Sequence, residues 1–334
     1  MLLLAALKNA YMLVRELTIS DAAGLKPEEL LELLESLDNL ELLSVDAHAQ
    51  RMGALQLIIC ITTYVDLGER LLAAIARMGC LHTIEFSSHG SLSGWMPLEN
   101  DPVPGALPAC RLRRLQVLDG DVFPPSQTYR FWEALTAEKA NDDAAPLLHL
   151  STTMARNGFG PLARFLESSG TQLQSLRLDI RMVPLWQEGT LHAFHTSGFS
   201  LSVCKHLRTL TLLLDAPHPQ DTHNIAICAA LLATAAADVP LEHVELAVYH
   251  LHCATFDSPH TADMFDVLDS TLENLPHLKS VEWHLNHVEP PGIPHMRQSL
   301  IHVVRQRIPL LARRKGVDLT WRVARMMGRA SSNI

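Results

Sequence analysis

The feature that most constrains the fold is a short apolar pattern that recurs along the chain. It reads apolar, two residues, apolar, one residue, apolar, and it is typical of a strand with one buried face. Clear copies begin at Val14, Leu40, Leu81, Leu112, Leu173, Leu207, Leu241 and Leu278, with a weaker copy at Leu147 and a closing alternation at 317–321. From Leu173 onward the starts are 34, 34, 37 and 39 residues apart. This regularity predicts a repeat array.

Helix-period stripes of apolar residues lie between several of these copies. They comprise Leu30, Leu33, Leu34 and Leu37; Leu67, Leu71, Ile75 and Met78; Leu162, Phe165 and Leu166; Ile225, Cys228, Ala229 and Leu232; and Phe265, Leu268 and Leu272. Strands stack about 4.8 Å apart whereas helices need roughly 8–10 Å, so strands should line the inside of an arc and helices the outside. The rival is an ordinary α/β sheet, but no cofactor fingerprint follows any strand.

The pattern resembles that of leucine-rich-repeat proteins of the irregular, long-repeat kind, from about residue 13 to about residue 323. The resemblance implies an α/β solenoid of about nine to ten irregular repeats, with a curved parallel sheet inside and helices outside. The family's Asn or Cys at the ninth repeat position appears only as Asn286. Elsewhere that position holds Ala22, His48, His89, Gly120, Arg181, Asp215 and Tyr249. The turns after the strands should therefore be irregular.

Irregular arrays with Pro-rich loops are similar to the repeat half of fungal F-box proteins. In that family a helical F-box ahead of the array recruits a ubiquitin-ligase scaffold, and the array holds the substrate. The resemblance implies a substrate-recognition role. Residues 25–31 resemble the opening of an F-box, but they lie between two repeat strands and are interpreted as a repeat helix. A ubiquitin-ligase scaffold is thus expected as a partner only if an F-box is encoded upstream.

We expect a single solenoid domain over 1–334. Gly- and Pro-rich loops are predicted at 88–111 and 119–126. Residues 50–65 fit either a non-repeat insert, such as a retained intron in the gene model, or a buried extra strand. A basic C-terminal cap at 297–329 holds nine basic residues and one acid. It reads as the solvated face of a last helix or as a patch for nuclear import or an anionic partner. The core-facing residues of that helix would be Leu300, Val303, Val304, Ile308 and Leu311.

Composition narrows the class of protein. Apolar residues make up 48% and charged residues 19%, which excludes intrinsic disorder. The net charge of −9 argues against a general nucleic-acid binder. The apolar run from Leu2 to Leu7 lacks the basic residues that begin a secretory signal peptide, and it is too short to span a membrane. The six cysteines form no C-x-x-C pair. We expect a reduced, intracellular protein of the cytoplasm or nucleus with no membrane contact.

Chemistry-bearing motifs are sparse. There is no P-loop, no dinucleotide fingerprint and no zinc-protease motif. Ser202 and Lys205 match a lactamase-type fragment without its companion motifs. The leading prediction is a non-enzymatic protein–protein interaction module without a cofactor. The alternative is a metal-dependent enzyme that uses the region of His250, His252 and His284, since histidine is enriched to 18 copies.

The candidate binding surface follows from strand geometry. Apolar positions of each strand face the core, so the intervening residues must face outward on the concave side. In the later repeats these are Ser175, Arg177, Asp179, Thr209, Thr211, His243, Glu245, Ser280, Glu282 and His284, with Leu213 and Ala247 among them. We expect one contiguous stripe in which Arg177 is the only base and Asp179, Glu245 and Glu282 are the acids. A basic or hydroxyl-rich partner surface would suit it.

Overall fold

The structure is a computed structural model of the chain. It describes residues 16–20, 42–47, 83–88, 117–120, 146–154, 158–181, 189–215, 223–235, 238–251, 259–287 and 296–325. The fold is α/β, with parallel strands and intervening helices. The chain contacts divide it into two compact units. The first contains 1–153 and 164–173, and the second contains 154–163 and 174–334.

The described residues of the first unit form five parallel strands. They are β1 (Glu16–Ser20), β2 (Leu42–Ala47), β3 (Thr83–Ser88), β4 (Val117–Gly120) and β5 (His149–Thr153). Each pairs with the next one along the chain. The register aligns Leu17, Leu43, Ile84, Leu118 and Leu150, one residue from each strand. Copies of the apolar pattern therefore form neighbouring strands, as predicted.

Strand β4 corrects one predicted position. A copy beginning at Leu112 would place a strand near residue 114, but the strand begins at Val117. Leucines at 112, 115 and 118 are three residues apart, so the first two apolar positions of the pattern are also filled when it begins at Leu115, although Gly120 then takes the third. The same shift places Asp119 and Gly120 in the strand rather than in the predicted loop 119–126.

Several predictions lie outside the described residues. These are the stripes at 30–37 and 67–78, the F-box-like 25–31, the segment 50–65, the loop 88–111 after Ser88, which ends β3, and residues 121–126 of the second loop.

The second unit also holds five parallel strands. They are β6 (Ser175–Asp179), β7 (Thr209–Asp215), β8 (His243–Leu251), β9 (Ser280–His287) and β10 (Asp318–Arg325). Each pairs with the next one along the chain. The β8–β9 register shifts between Val248 and Leu251. The strands recur at the predicted copies, so the pattern located this sheet correctly.

Helices separate most of the later strands. They are α1 (Phe159–Ser169), which contributes residues to both units, α2 (Thr190–Thr196), α3 (His223–Ala233), α4 (Pro259–Glu273), α5 (Met296–Arg307) and α6 (Pro309–Arg313). A 3₁₀ turn covers Leu201–Val203. Among the residues that the structure describes, every helix is too short or too polar to cross a lipid bilayer.

The core of the second unit follows the expected alternation. In β9, Val281, Trp283 and Leu285 are at most 1% exposed, whereas the intervening Ser280 and Glu282 are partly exposed. The three later stripes are buried in their helices: Leu162, Phe165 and Leu166 in α1; Ile225, Cys228, Ala229 and Leu232 in α3; and Phe265, Leu268 and Leu272 in α4. Both apolar periods, two for strands and 3.6 for helices, are confirmed here.

The predicted last helix is divided in two. Leu300, Val304, Ile308 and Leu311 are buried as expected, whereas Val303 is partly exposed. Helix α5 ends at Arg307 and α6 starts at Pro309. The proline ring disfavours a helical backbone at the preceding residue, so the break falls at Ile308.

Two side chains tie α6 to α4. The buried carboxylate of Asp269 accepts backbone N–H bonds from Leu310 (2.8 Å) and Leu311 (2.9 Å) at the start of α6. In return, Arg314 donates to the carbonyl oxygens of Leu272 (2.9 Å), Glu273 (2.6 Å) and Leu275 (2.7 Å) at the end of α4. The first N–H groups and the last carbonyl groups of a helix have no partners inside that helix. The bonds to Asp269 therefore satisfy the start of α6, and the bonds from Arg314 satisfy the end of α4. Arg314 of the basic cap is thus structural.

The buried Asp269 carboxylate should make the free energy of unfolding depend on pH. Burial raises the pKa of Asp269 above its ordinary value, despite its two backbone donors. The folded state then binds this proton more tightly than the unfolded state does. The contribution of Asp269 to the free energy of unfolding should therefore fall as pH rises from about 3.9 through the raised value.

Urea denaturation at stepped pH, comparing the native chain with Asp269→Asn, measures this contribution. The native chain's stability relative to Asp269→Asn should decline over that window. Asn offers one acceptor oxygen for two N–H donors, so Asp269→Asn should also cost about 1–3 kcal/mol. Asp263→Asn, an exposed change on the same helix, is the control. A relative stability that rises over the window would contradict the prediction.

Candidate functional site

The register of the second unit arranges the outward residues in three rows. The first row contains Ser175, Thr209, His243, Ser280 and Asp318; the second contains Arg177, Thr211, Glu245, Glu282 and Thr320; the third contains Asp179, Leu213, Ala247, His284 and Arg322. All ten residues proposed from the sequence fall in these rows. The structure therefore brings them onto one face of one sheet.

The first row carries hydroxyl and imidazole groups. Nδ1 of His243 lies 2.8 Å from Oγ of Ser280, and half of the His243 side chain is exposed. Beside it, Nζ of Lys279 lies 2.9 Å from Oε2 of Glu242. The hydrogen bond from Lys279 holds the pKa of Glu242 below its ordinary value. This edge of the sheet offers exposed polar groups that already interact with one another.

The second row is centred on Glu245. Its Oε2 accepts a hydrogen bond from Oγ1 of Thr211 (3.1 Å), and its Oε1 lies 3.5 Å from Nδ1 of His284. Nε2 of the same imidazole lies 3.0 Å from Oε1 of Glu282, which also contacts Nε of Arg322 at 2.5 Å. Acidic and basic groups thus alternate across three strands. About a third of the Glu245 side chain is exposed, so it remains open to a partner.

The third row corrects the prediction for Asp179. This carboxylate was expected to face solvent, but it is 2% exposed. Arg181 donates to it from Nε (2.9 Å), Nη2 (2.5 Å) and the backbone N–H (3.0 Å). The guanidinium carbon of Arg181 also lies 4.4 Å from the ring centroid of Tyr249. Because Tyr249 is on β8, the Arg181 side chain must cross β7.

Two further residues of the third row are buried. Leu213 and Ala247 were expected to face outward with Asp179, but they are 3% and 4% exposed. Leu213 is the register partner of both, and the stacked pair of Arg181 and Tyr249 stands two residues beyond Asp179 and Ala247, at the end of this buried stretch. The third row is therefore closed over part of its length, and the open part of the face consists mainly of the first two rows.

The charge of the face differs from the expected stripe. Arg177 was expected to be its only base, but Arg181 pairs with Asp179 and Arg322 pairs with Glu282. Two of the three predicted acids therefore have an arginine partner. The signal in the sequence was Arg181 itself, since it stands at the ninth repeat position and shares the outward parity of Asp179. A basic or hydroxyl-rich partner remains a prediction.

The described residues include two cysteines and one Ser–Lys pair that could be considered as nucleophiles. Burial raises the pKa of the Cys204 thiol to about 12 and that of Cys228 even further. Such thiols stay protonated near neutral pH and are weak nucleophiles. Lys205 pairs with Asp238, and Oγ of Ser202 lies 2.7 Å from Oγ of Ser200. The Ser–Lys fragment therefore has other partners for both of its side chains.

The metal-site alternative remains a prediction. Within the described part of the chain, no group of three or more His, Cys, Asp or Glu side chains is arranged to hold a metal ion. There, the nearest charged neighbours of His284 are Glu245 and Glu282. His252 and the side chain of His250 lie outside the described residues.

Two comparisons with known proteins assign neither a family nor a function to the chain. No protein-family model matches the sequence. A search of curated proteins also finds no significant match.

Proposed function

We propose that the chain is an irregular leucine-rich-repeat solenoid of about nine to ten repeats that binds a protein partner and catalyses no reaction. Support comes from the alternation of strands and helices and from the register that aligns equivalent positions of successive copies. Repeat arrays of this kind present long surfaces to which each unit contributes a few side chains.

One observation carries the binding role. The first two outward rows place partly exposed polar side chains from neighbouring strands side by side, in mutual hydrogen bonds and ion pairs. His243 with Ser280 and Thr211 with Glu245 are the clearest pairs. Side chains already held in place lose less conformational entropy when a partner binds. The opposite face of β6–β9 is buried core, so their outward face is where these strands can bind a partner.

A narrower version of the proposal makes the partner a substrate of a ubiquitin ligase. It rests on the resemblance to the repeat half of fungal F-box proteins. A scaffold subunit would bind only through an F-box, so the test is affinity capture by the given chain and by a chain extended with any coding sequence found upstream at the genomic locus. Recovery of a ubiquitin-ligase scaffold by the extended chain alone would support this version. Recovery by neither chain would argue against it.

The binding role predicts a selective loss of partner capture. The double variant His243→Ala/Glu245→Gln removes two central groups of the face. Interfaces concentrate binding energy in a few central residues, so capture should weaken at least about tenfold, or 1.4 kcal/mol. Quantitative affinity capture from the native cell measures this loss.

A matched control uses the same two substitutions on helices. His192→Ala/Glu167→Gln changes exposed residues of α2 and α1. This control should capture the same partners as the native chain. If the control loses its partners while His243→Ala/Glu245→Gln keeps them, the binding surface is not the outward face.

A further inference from the structure

The last strand of the second unit has an incomplete core layer. Leu319, Trp321 and Val323 of β10 occupy the core-facing positions, yet each is partly exposed. Their register partners on β9, among them Trp283, are at most 1% exposed. The aromatic ring of Trp321 stacks on Trp283 at 6.0 Å on one side. Apolar surface thus remains open along β10.

The hydrogen-bonding edge of β10 has no partner strand among the described residues. The Asp318 N–H donates to the Lys279 carbonyl before β9, so the even-numbered backbone groups of β10 face β9. Backbone groups of a strand alternate in direction, so those of Leu319, Trp321 and Val323 point away from β9. Among the described strands, none pairs with this side of β10. Such an edge is a template for another strand.

We propose that β10 pairs with β10 of a second copy of this chain, in an antiparallel arrangement with Thr320 opposite Thr320 of the second copy. The two copies would be related by a two-fold axis, the commonest symmetry of homo-oligomers. The pairing would join Leu319 of each copy to Trp321 of the other. It would extend the apolar layer and satisfy the open backbone groups. This edge adjoins the outward face proposed to bind a partner, because Asp318, Thr320 and Arg322 also stand at the β10 end of its three rows.

The charges along β10 favour this register and favour a second copy of the chain as the partner. It places exposed Asp318 of each copy opposite exposed Arg322 of the other, so the opposite charges pair twice. If one strand slid by two residues in one direction, Arg322 of each copy would face Thr320 of the other. If it slid by four, the two Arg322 side chains would face each other. Arg322 contacts Glu282 through Nε, and its side chain is 71% exposed, so its guanidinium, with five N–H donors, can also donate to a second carboxylate. The edge is therefore self-complementary.

Sedimentation over a concentration series tests the proposal. The native chain should form a reversible dimer with a dissociation constant of roughly 10–100 µM, because a single strand pair buries a small area. Asp318→Arg and Arg322→Glu should each weaken dimerisation at least tenfold, since each places like charges opposite one another. An equimolar mixture of the two variants should dimerise again, because each charge then meets its opposite.

The mixture also serves as the folding control, since restored pairing requires both variants to be folded. Two results would overturn the proposal. One is a native chain that stays monomeric throughout the series, as it would if another segment or a different partner covered the edge. The other is a dimer that either persists in both single variants or fails to return on mixing.

Discussion

Arg181→Ala is expected to lower the free energy of unfolding by about 3–5 kcal/mol, the cost of leaving a buried charge without its partner. Asp179 is 2% exposed, and the substitution removes the two hydrogen bonds that the Arg181 side chain donates to it, whereas the bond from the backbone N–H of residue 181 remains. The substitution also removes the stacking of the guanidinium on Tyr249. Urea denaturation followed by circular dichroism measures the change.

Two further variants separate charge from geometry. Arg181→Lys keeps the positive charge but loses the two-pronged hydrogen bonding and the flat stacking surface, so it should fall between Arg181→Ala and the native chain. Arg177→Ala removes a partly exposed arginine from β6, the strand that Arg181 follows, and should cost less. An Arg181→Ala variant no less stable than Arg177→Ala would contradict the buried-pair account.

Trp283→Ala is the second substitution with a large expected effect, about 3–5 kcal/mol. Trp283 is 1% exposed, and its ring stacks between those of Phe265 and Trp321. The ring centroids are 6.2 Å and 6.0 Å from that of Trp283, respectively. Its removal would leave a cavity between α4 and two strands. Urea denaturation of the purified variants gives the free energies.

Trp321→Ala is the matched comparison for this core substitution. Trp321 belongs to the same stack but is partly exposed, so its truncation should cost less than that of Trp283. Equal costs for the two variants, or a larger cost for Trp321→Ala, would show that the stack is not anchored at Trp283.

The sequence predicts the layers of the second unit well because burial imposes simple periods. Strands β7 and β9 appear where the apolar pattern recurs, and α3 and α4 appear where the apolar stripes lie. The same rule fails at β4, where the register that begins at Leu115 shares a leucine with the fuller pattern at Leu112 and is the one that the strand adopts. Periodicity therefore locates an element reliably only when no overlapping register offers most of the same apolar positions.

The outward rows could also be predicted, because equal positions in successive copies fall in register. The burial of Asp179 could not, since it depends on how the long side chain of Arg181 crosses β7 to reach Tyr249, 68 residues further along the chain. The contact of Asp269 with Leu310 spans 41 residues and has no local sequence signal. Such long-range polar contacts depend on the packed geometry rather than on a repeat pattern.

The most direct test of the binding surface is site-specific photo-crosslinking in the native cell. A photoreactive amino acid replaces Thr209, in the first outward row, in one variant and Val267, which is 58% exposed on α4, in another. The account predicts that the Thr209 variant crosslinks a partner protein and that the Val267 variant does not. A partner crosslinked from position 267 and none from position 209 would contradict it.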